Sequence, residues 1–222
     1  MNLFDILGPV MVGPSSSHTA GAVRIGYMVK ELLREQPVYA EIYLHGSFAT
    51  TGKGHGTDRA IIAGLLGMKP DDMRIPDSFE IASKEGLVFQ FHTISLKDAH
   101  PNSVLIKVKG TTGTEIEVEA ASIGGGRILI RKLDGIEVNF SAEKPTLIVQ
   151  NQDTPGHVAR VTYMLAEKNV NIATMHLYRG DKRAGYGVMV IETDQPVPEK
   201  TVKYLETLDG LIKVAYIEQE EI

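Results

Sequence analysis

The chain of 222 residues contains no cysteine and no tryptophan. Without thiols it forms no disulfide and offers no thiolate, either as a nucleophile or as a metal ligand. Long apolar runs are missing as well. No stretch approaches the ~18 apolar residues that a membrane-spanning helix needs. Positive charge is not in excess: 23 Lys and Arg stand against 28 Asp and Glu, a net charge of −5. That balance speaks against a nucleic acid or an anionic membrane as partner. The opening residues MNLFDILGPV carry an acid and no basic leader, so no secretory signal is expected and a cytoplasmic location is. What is present is ordinary for a globular chain, 43% hydrophobic and 23% charged. The length allows one large domain or two smaller ones.

Two regions differ in pattern, and the fold expected is α+β. From about residue 145 onward strand and helix signals alternate. TLIVQ at 146–150 is a short β-branched run, read as a strand. Asp153-Thr154-Pro155-Gly156 offers a helix start, followed by Val158, Val161, Leu165 and Ala166 at helical spacing. Residues 169–178 and 186–192 read as strands around a charged turn, 197–208 as an amphipathic helix, and 212–217 as a closing strand. This order, βαββαβ, predicts an antiparallel sheet backed by two helices. Residues 139–145 read as the junction, giving expected domains of 1–142 and 143–222.

The first region reads as a mixed α/β domain. A helix is expected over 20–34, with Val23, Tyr27, Val29 or Lys30, and Leu33 on its inner side. Strands are expected at 39–44, 87–93 and 104–109, a second helix at 58–66, and a hairpin pairing 115–121 with 127–133. The segment from Gly46 to Thr57 is rich in Gly, Ser and Thr and reads as a flexible loop.

Chemistry-bearing residues concentrate in this first region. Ser15, Ser16, Ser17, His18 and Thr19 stand at a helix start, where unpaired amide groups and aligned peptide dipoles attract anions such as a carboxylate or phosphate. A simple helix cap explains one of these hydroxyls, not all of them. Lys53, Gly54 and His55 follow in the Gly-rich segment, but Lys53 is succeeded by Gly54 rather than Ser or Thr, so no P-loop is present. Histidine suits proton transfer near neutral pH. His100-Pro101-Asn102 is a turn whose Asn can bind a polar ligand or fold back on the backbone. Ser122–Gly126 reads as a tight hairpin, with an anion nest as the alternative. Five of the seven histidines lie here, with no spacing typical of a metal site, and no metal site within the chain is expected. In the second region Asp153–Gly156 and Asn171 are candidate effector contacts; helix capping explains the former equally well.

The segments GPSSSHTAGA (13–22), HGSFATTGKGHGTD (45–58), HPN (100–102) and SIGGG (122–126), in this order, resemble the β chain of the bacterial iron–sulfur-dependent L-serine dehydratases of two-subunit form. Ala22 departs from the family pattern, where Pro is expected. The resemblance implies a first domain like the allosteric-substrate-binding domain of some phosphoglycerate dehydrogenases, and a ferredoxin-like ACT domain from 143. It implies conversion of L-serine to pyruvate and ammonia, with a [4Fe–4S] cluster held by a separate α chain and no pyridoxal phosphate. It places His55 as the base, with His18, Ser15, Ser16, Ser17 and Thr19 orienting the substrate carboxylate, and Lys53, Gly54 and Asn102 assisting. A homodimer through the ACT domain is expected. An amino-acid-sensing regulatory protein is the alternative; a pure sensor needs neither the serine-rich helix start nor His55.

Overall fold

The computed structural model describes residues 10–141, 143–180 and 185–218. By their contacts the described residues divide into two compact units, one ending at Asp134 and one starting at Gly135.

The first unit is built on strands β1 (Pro37–His45), β2 (Val88–Ile94), β3 (Ser103–Gly110), β4 (Glu115–Gly124) and β5 (Arg127–Leu133), lying in the order β2-β1-β3-β4-β5. β1 and β2 run parallel, and every other pairing of these five is antiparallel. The pleat alternates along most of these strands, and in β4 both faces are buried from Val118 to Ser122. Ala40, Ile42, Val104, Ile106, Val118, Ala120 and Ile130 are buried on one face. Glu41, Lys107 and Glu117 share the other, where Lys107 and Glu117 pair across strands at 3.0 Å.

Helix α1 (Gly21–Leu33) covers the apolar face and is itself covered by α3 (Thr57–Leu65). Being packed on two sides, it buries more than one stripe. Val23, Val29 and Leu33 are inside as expected, but so are Ala22, Ile25, Met28 and Leu32, while Tyr27 and Lys30 remain half-exposed. The two helices cross at Gly26 and Gly64. A Cβ on Gly26 would run into the Ile61 carbonyl, and one on Gly64 into the Val23 carbonyl.

The expected loop at 46–57 is instead a helix, α2 (Gly46–His55), which follows β1 without a spacer and is separated from α3 by Gly56 alone. Gly46 makes the corner with φ +53, and its missing side chain lets the Pro101 backbone approach. Interior glycines cost a helix roughly 1 kcal/mol each relative to Ala, so Gly52 and Gly54 oppose α2 by about 2 kcal/mol. Phe48, fully buried, returns on the order of 2–3 kcal/mol. Tertiary packing therefore decides what local propensity does not. Helix α4 (Ser78–Glu85) also lies outside the expected elements; a 3-10 turn at Ile75–Asp77 leads into it.

From Thr146 onward the second unit follows the expected order; the strand before it, Ile136–Phe140, was not expected. After β6 (Ile136–Phe140) come β7 (Thr146–Gln152), α5 (His157–Glu167), β8 (Ile172–Arg179), β9 (Tyr186–Thr193), α6 (Glu199–Glu206) and β10 (Leu211–Ile217). The sheet order β10-β7-β9-β8 is ferredoxin-like. Leu147, Val149, Met189 and Ile191 from the sheet pack on Val161, Leu165, Val202 and Leu205 from the helices. Val158 and Ala166 of α5 are exposed rather than inside.

Candidate functional site

Sheet topology explains why four separate motifs meet. The C-terminal ends of β1 and β4 and the N-terminal ends of β3 and β5 share one edge of the first unit, because Leu44 pairs with Val104, Val104 with Ala120, and Gly124 with Arg127. At that edge lie the start of α2, the His100–Asn102 turn and the Ser122–Gly126 turn. The serine segment joins them: Gly21, at the start of α1, has only the space that a missing Cβ leaves beside the Ser122 hydroxyl. Three successive positive φ values at Gly124, Gly125 and Gly126 make the hairpin turn. The carbonyl of Gly126 accepts from the Arg24 guanidinium at 3.0 Å.

The serine segment enters α1 through a wide π turn, Ser16–Ala20. Ser15 caps it, its Oγ accepting the His18 amide at 3.1 Å. Ser16 and Ser17 are half-buried, and their amides precede the first backbone bond of the turn, from Thr19 N to Ser15 O at 2.9 Å. Helix-start amides in this position face outward as donors. Thr19 is buried and its hydroxyl donates to the His55 carbonyl at 3.1 Å. Thr57 makes the reciprocal bond, its hydroxyl donating to the His18 carbonyl at 2.9 Å. Two threonines thus clamp the π turn to the α2–α3 junction.

The clamp brings His18 and His55 together, with ring centroids 5.0 Å apart and planes tilted by 36°. Phe48 meets the edge of the His18 ring at 5.4 Å. His55 Nδ1 lies 3.1 Å from the Thr51 carbonyl. A carbonyl only accepts, so Nδ1 carries a proton and the neutral ring bears its lone pair on Nε2. Burial holds the His18 imidazole below its ordinary pKa, and the neighbouring His55 adds to this; a hydrogen bond to the Ser47 backbone opposes it. The Pro101 carbonyl accepts from the Ser47 amide at 2.7 Å, which sets the half-buried Asn102 beside the start of α2. His100 Nδ1 accepts from the Asn102 amide at 3.1 Å. Gly54 is exposed, and a Cβ there would meet nothing within 4 Å. Lys53 belongs to α2; its side chain lies outside the described residues.

All the first-region candidates except the Lys53 side chain are therefore placed at this edge. Ser47, Thr51 and Thr57 join them, although the sequence reading gave them no role. The signal was available. Ser47, Thr51 and His55 stand at i, i+4 and i+8, one face of a helix, and the glycine content concealed it.

The candidates of the second unit behave differently. Asp153 pairs with Arg179 at 2.9 Å, the Thr154 hydroxyl meets His157 Nε2 at 2.9 Å, and Gly156 caps α5 with φ +103. Asn171 donates from its side chain to Asp194 at 2.6 Å. It precedes β8, whose first residue pairs with the end of β9, whereas Gln152 pairs with the start of β9. Within one chain Asn171 thus stands at the opposite end of this sheet from Asp153–Gly156.

The donor set does not fit an iron–sulfur cluster. The chain has no thiol, and no three metal-ligating side chains gather among the described residues.

Residues 2–85 match the family model described as serine dehydratase beta chain, and residues 145–210 match the ACT domain. The chain is 40% identical, over 97% of both chains, to the probable L-serine dehydratase, beta chain, of Bacillus subtilis (strain 168). It is 38% identical, again over 97% of both, to the L-serine dehydratase, beta chain, of Peptoniphilus asaccharolyticus. The chain belongs to the L-serine dehydratase β-chain family. The D-3-phosphoglycerate dehydrogenase of Bacillus subtilis (strain 168) is more distant, 26% identical over 89% of this chain and 37% of that one. The segment matching the serine dehydratase β-chain model contains both facing histidines and the clamp between them. The His100–Asn102 and Ser122–Gly126 turns lie beyond it and join the site through the sheet.

Proposed function

We propose that this chain is the β subunit of an L-serine ammonia-lyase and carries the residues that bind serine and remove its α-proton. The observation that carries this is the His18–His55 pair at the start of α1, with His55 Nε2 left basic by the Thr51 carbonyl. A carboxylate at the Ser15–Ser17 helix start meets outward amides and hydroxyls, with Asn102 at its side. The α-proton passes to His55 Nε2 and the β-hydroxyl leaves, giving 2-aminoacrylate, whose imine tautomer hydrolyses to pyruvate and ammonia. Thr19 contributes by holding α2, since its hydroxyl proton is committed to the His55 carbonyl.

The leaving hydroxyl also needs activation by an acid. That part is assigned to the α chain, together with the [4Fe–4S] cluster, because the thiolates such a cluster needs are missing here. The proposal includes a cytoplasmic α–β enzyme without pyridoxal phosphate, with the ACT domain pairing two copies. Among the described residues no helix is long and apolar enough to cross a membrane. Effector binding belongs to Asp153–Gly156 of one copy and Asn171 of the other, since one chain keeps them apart. The test is co-expression with the α chain. Serine-dependent pyruvate from the pair alone supports the subunit reading. Activity of the α chain by itself, equal to that of the pair, overturns it in favour of a regulatory protein.

A further inference from the structure

Thr51 touches both imidazoles of the site by different atoms. Its carbonyl lies 3.1 Å from His55 Nδ1, and its hydroxyl 3.2 Å from His18 Nε2. That hydroxyl is also 2.9 Å from the Ser47 carbonyl, one turn back along α2. Since a carbonyl only accepts, the Thr51 proton is spent there, and its oxygen presents lone pairs to its other neighbours. Those neighbours are the Ser47 hydroxyl at 3.2 Å and His18 Nε2; Ser47 Oγ itself lies 3.0 Å from His18 Nε2.

One proton arrangement satisfies these side-chain contacts together. His18 Nε2–H donates to Ser47 Oγ, Ser47 donates to Thr51 Oγ1, and Thr51 donates to the Ser47 carbonyl. With a bare Nε2 on His18, two lone pairs would face each other across the 3.2 Å contact to Thr51. The geometry points to Thr51 as the positioning residue that sets the two histidines in opposite tautomers, Nε2–H on His18 through the hydroxyl chain and Nδ1–H on His55 through the carbonyl. The two rings therefore present different basic atoms, Nδ1 on His18 and Nε2 on His55.

This inference rests on the catalytic reading for its importance, not for its existence, so the test separates the two. Long-range proton–nitrogen NMR spectra of the full chain, labelled with nitrogen-15 in histidine, read each tautomer directly. The wild-type chain shows His18 protonated on Nε2 and His55 on Nδ1. Thr51→Val keeps the side-chain shape at an exposed position; it releases the His18 preference while His55 stays protonated on Nδ1. Thr51→Ser restores the His18 tautomer, and Ser47→Ala weakens it without touching His55. A wild-type His18 protonated on Nδ1, or an unchanged His18 in Thr51→Val, overturns the inference. In the enzyme assembled with the α chain, Thr51→Val lowers kcat about tenfold, as for loss of one hydrogen bond of ~1.4 kcal/mol, and Thr51→Ser recovers most of it. If the tautomers follow this pattern while His55→Ala keeps normal turnover, the positioning stands and the catalytic reading falls.

Discussion

The rings of His18 and His55 face each other at 5.0 Å, but only His55 donates from Nδ1 to a backbone carbonyl of its own helix. His18 is instead held from across the site by the side chains of α2. This asymmetry separates a base that a helix aims from a partner that the tertiary fold positions.

It has a consequence for stability. Burial and the neighbouring His55 lower the folded pKa of His18 below its ordinary 6.5. The unfolded chain then takes up its proton first as pH falls. The His18 contribution is complete above pH 6.5 and is lost between 6.5 and the lower folded value. Urea unfolding at pH 7.5 and 5.5 is expected to show a larger loss in the wild type than in His18→Gln. Equal losses contradict it.

Glu35 anchors the end of α1 to the β3–β4 turn. Its carboxylate accepts from the Thr112 amide at 2.5 Å and the Thr112 hydroxyl at 2.8 Å. Hydrogen bonds from Thr114 and Thr112 lead in lowering its pKa from 4.5 to about 2. A depressed carboxylate stabilises above its unfolded value, so this contribution is full above pH 4.5 and disappears as pH falls towards about 2. Glu35→Gln is expected to lower Tm at pH 7, with the gap to wild type closing in acid. A constant gap between pH 7 and 2.5 rejects the clasp.

The α1–α3 crossing leaves no room for a methyl group. Gly26→Ala is expected to cost about 1–3 kcal/mol in urea unfolding, the usual cost of overpacking a tight core, although Ala is the better helix former. A stabilised variant contradicts the crossing at Gly26 and Gly64.

The second unit makes a separate prediction. Calorimetry of the chain with L-serine is expected to show binding that Thr154→Ala weakens. Heat that is unchanged in Thr154→Ala rejects the assignment to the β7–α5 turn.

The element order of the ferredoxin-like half was legible in the sequence because its strands are rich in β-branched and apolar residues; the inner face of α5 was not, since Val158 and Ala166 are exposed. The first half was legible in its strands and in α1, and its motifs were visible as unusual local compositions. Helix α4 was not expected, and neither was the helical state of the segment from Gly46 to Thr57. Its glycines read as a loop, whereas Phe48, Thr19 and Thr57 hold it helical through contacts made far along the chain. That single misreading hid Ser47 and Thr51, because their relation to His55 exists only at helical spacing. The tautomers could not be read from sequence at all, since they follow from distances of about 3 Å between hydroxyls and ring nitrogens.

The central claim is that His55 of this chain removes the α-proton of serine. The direct measurement is serine-dependent pyruvate formation by the α chain combined with wild-type chain or with His55→Ala, at equal protein and with equal visible absorbance of the assembled enzyme. The account predicts a loss of 100-fold or more in kcat for the variant, the usual scale for a general base of roughly 10²–10⁴. Turnover within about threefold of wild type contradicts it.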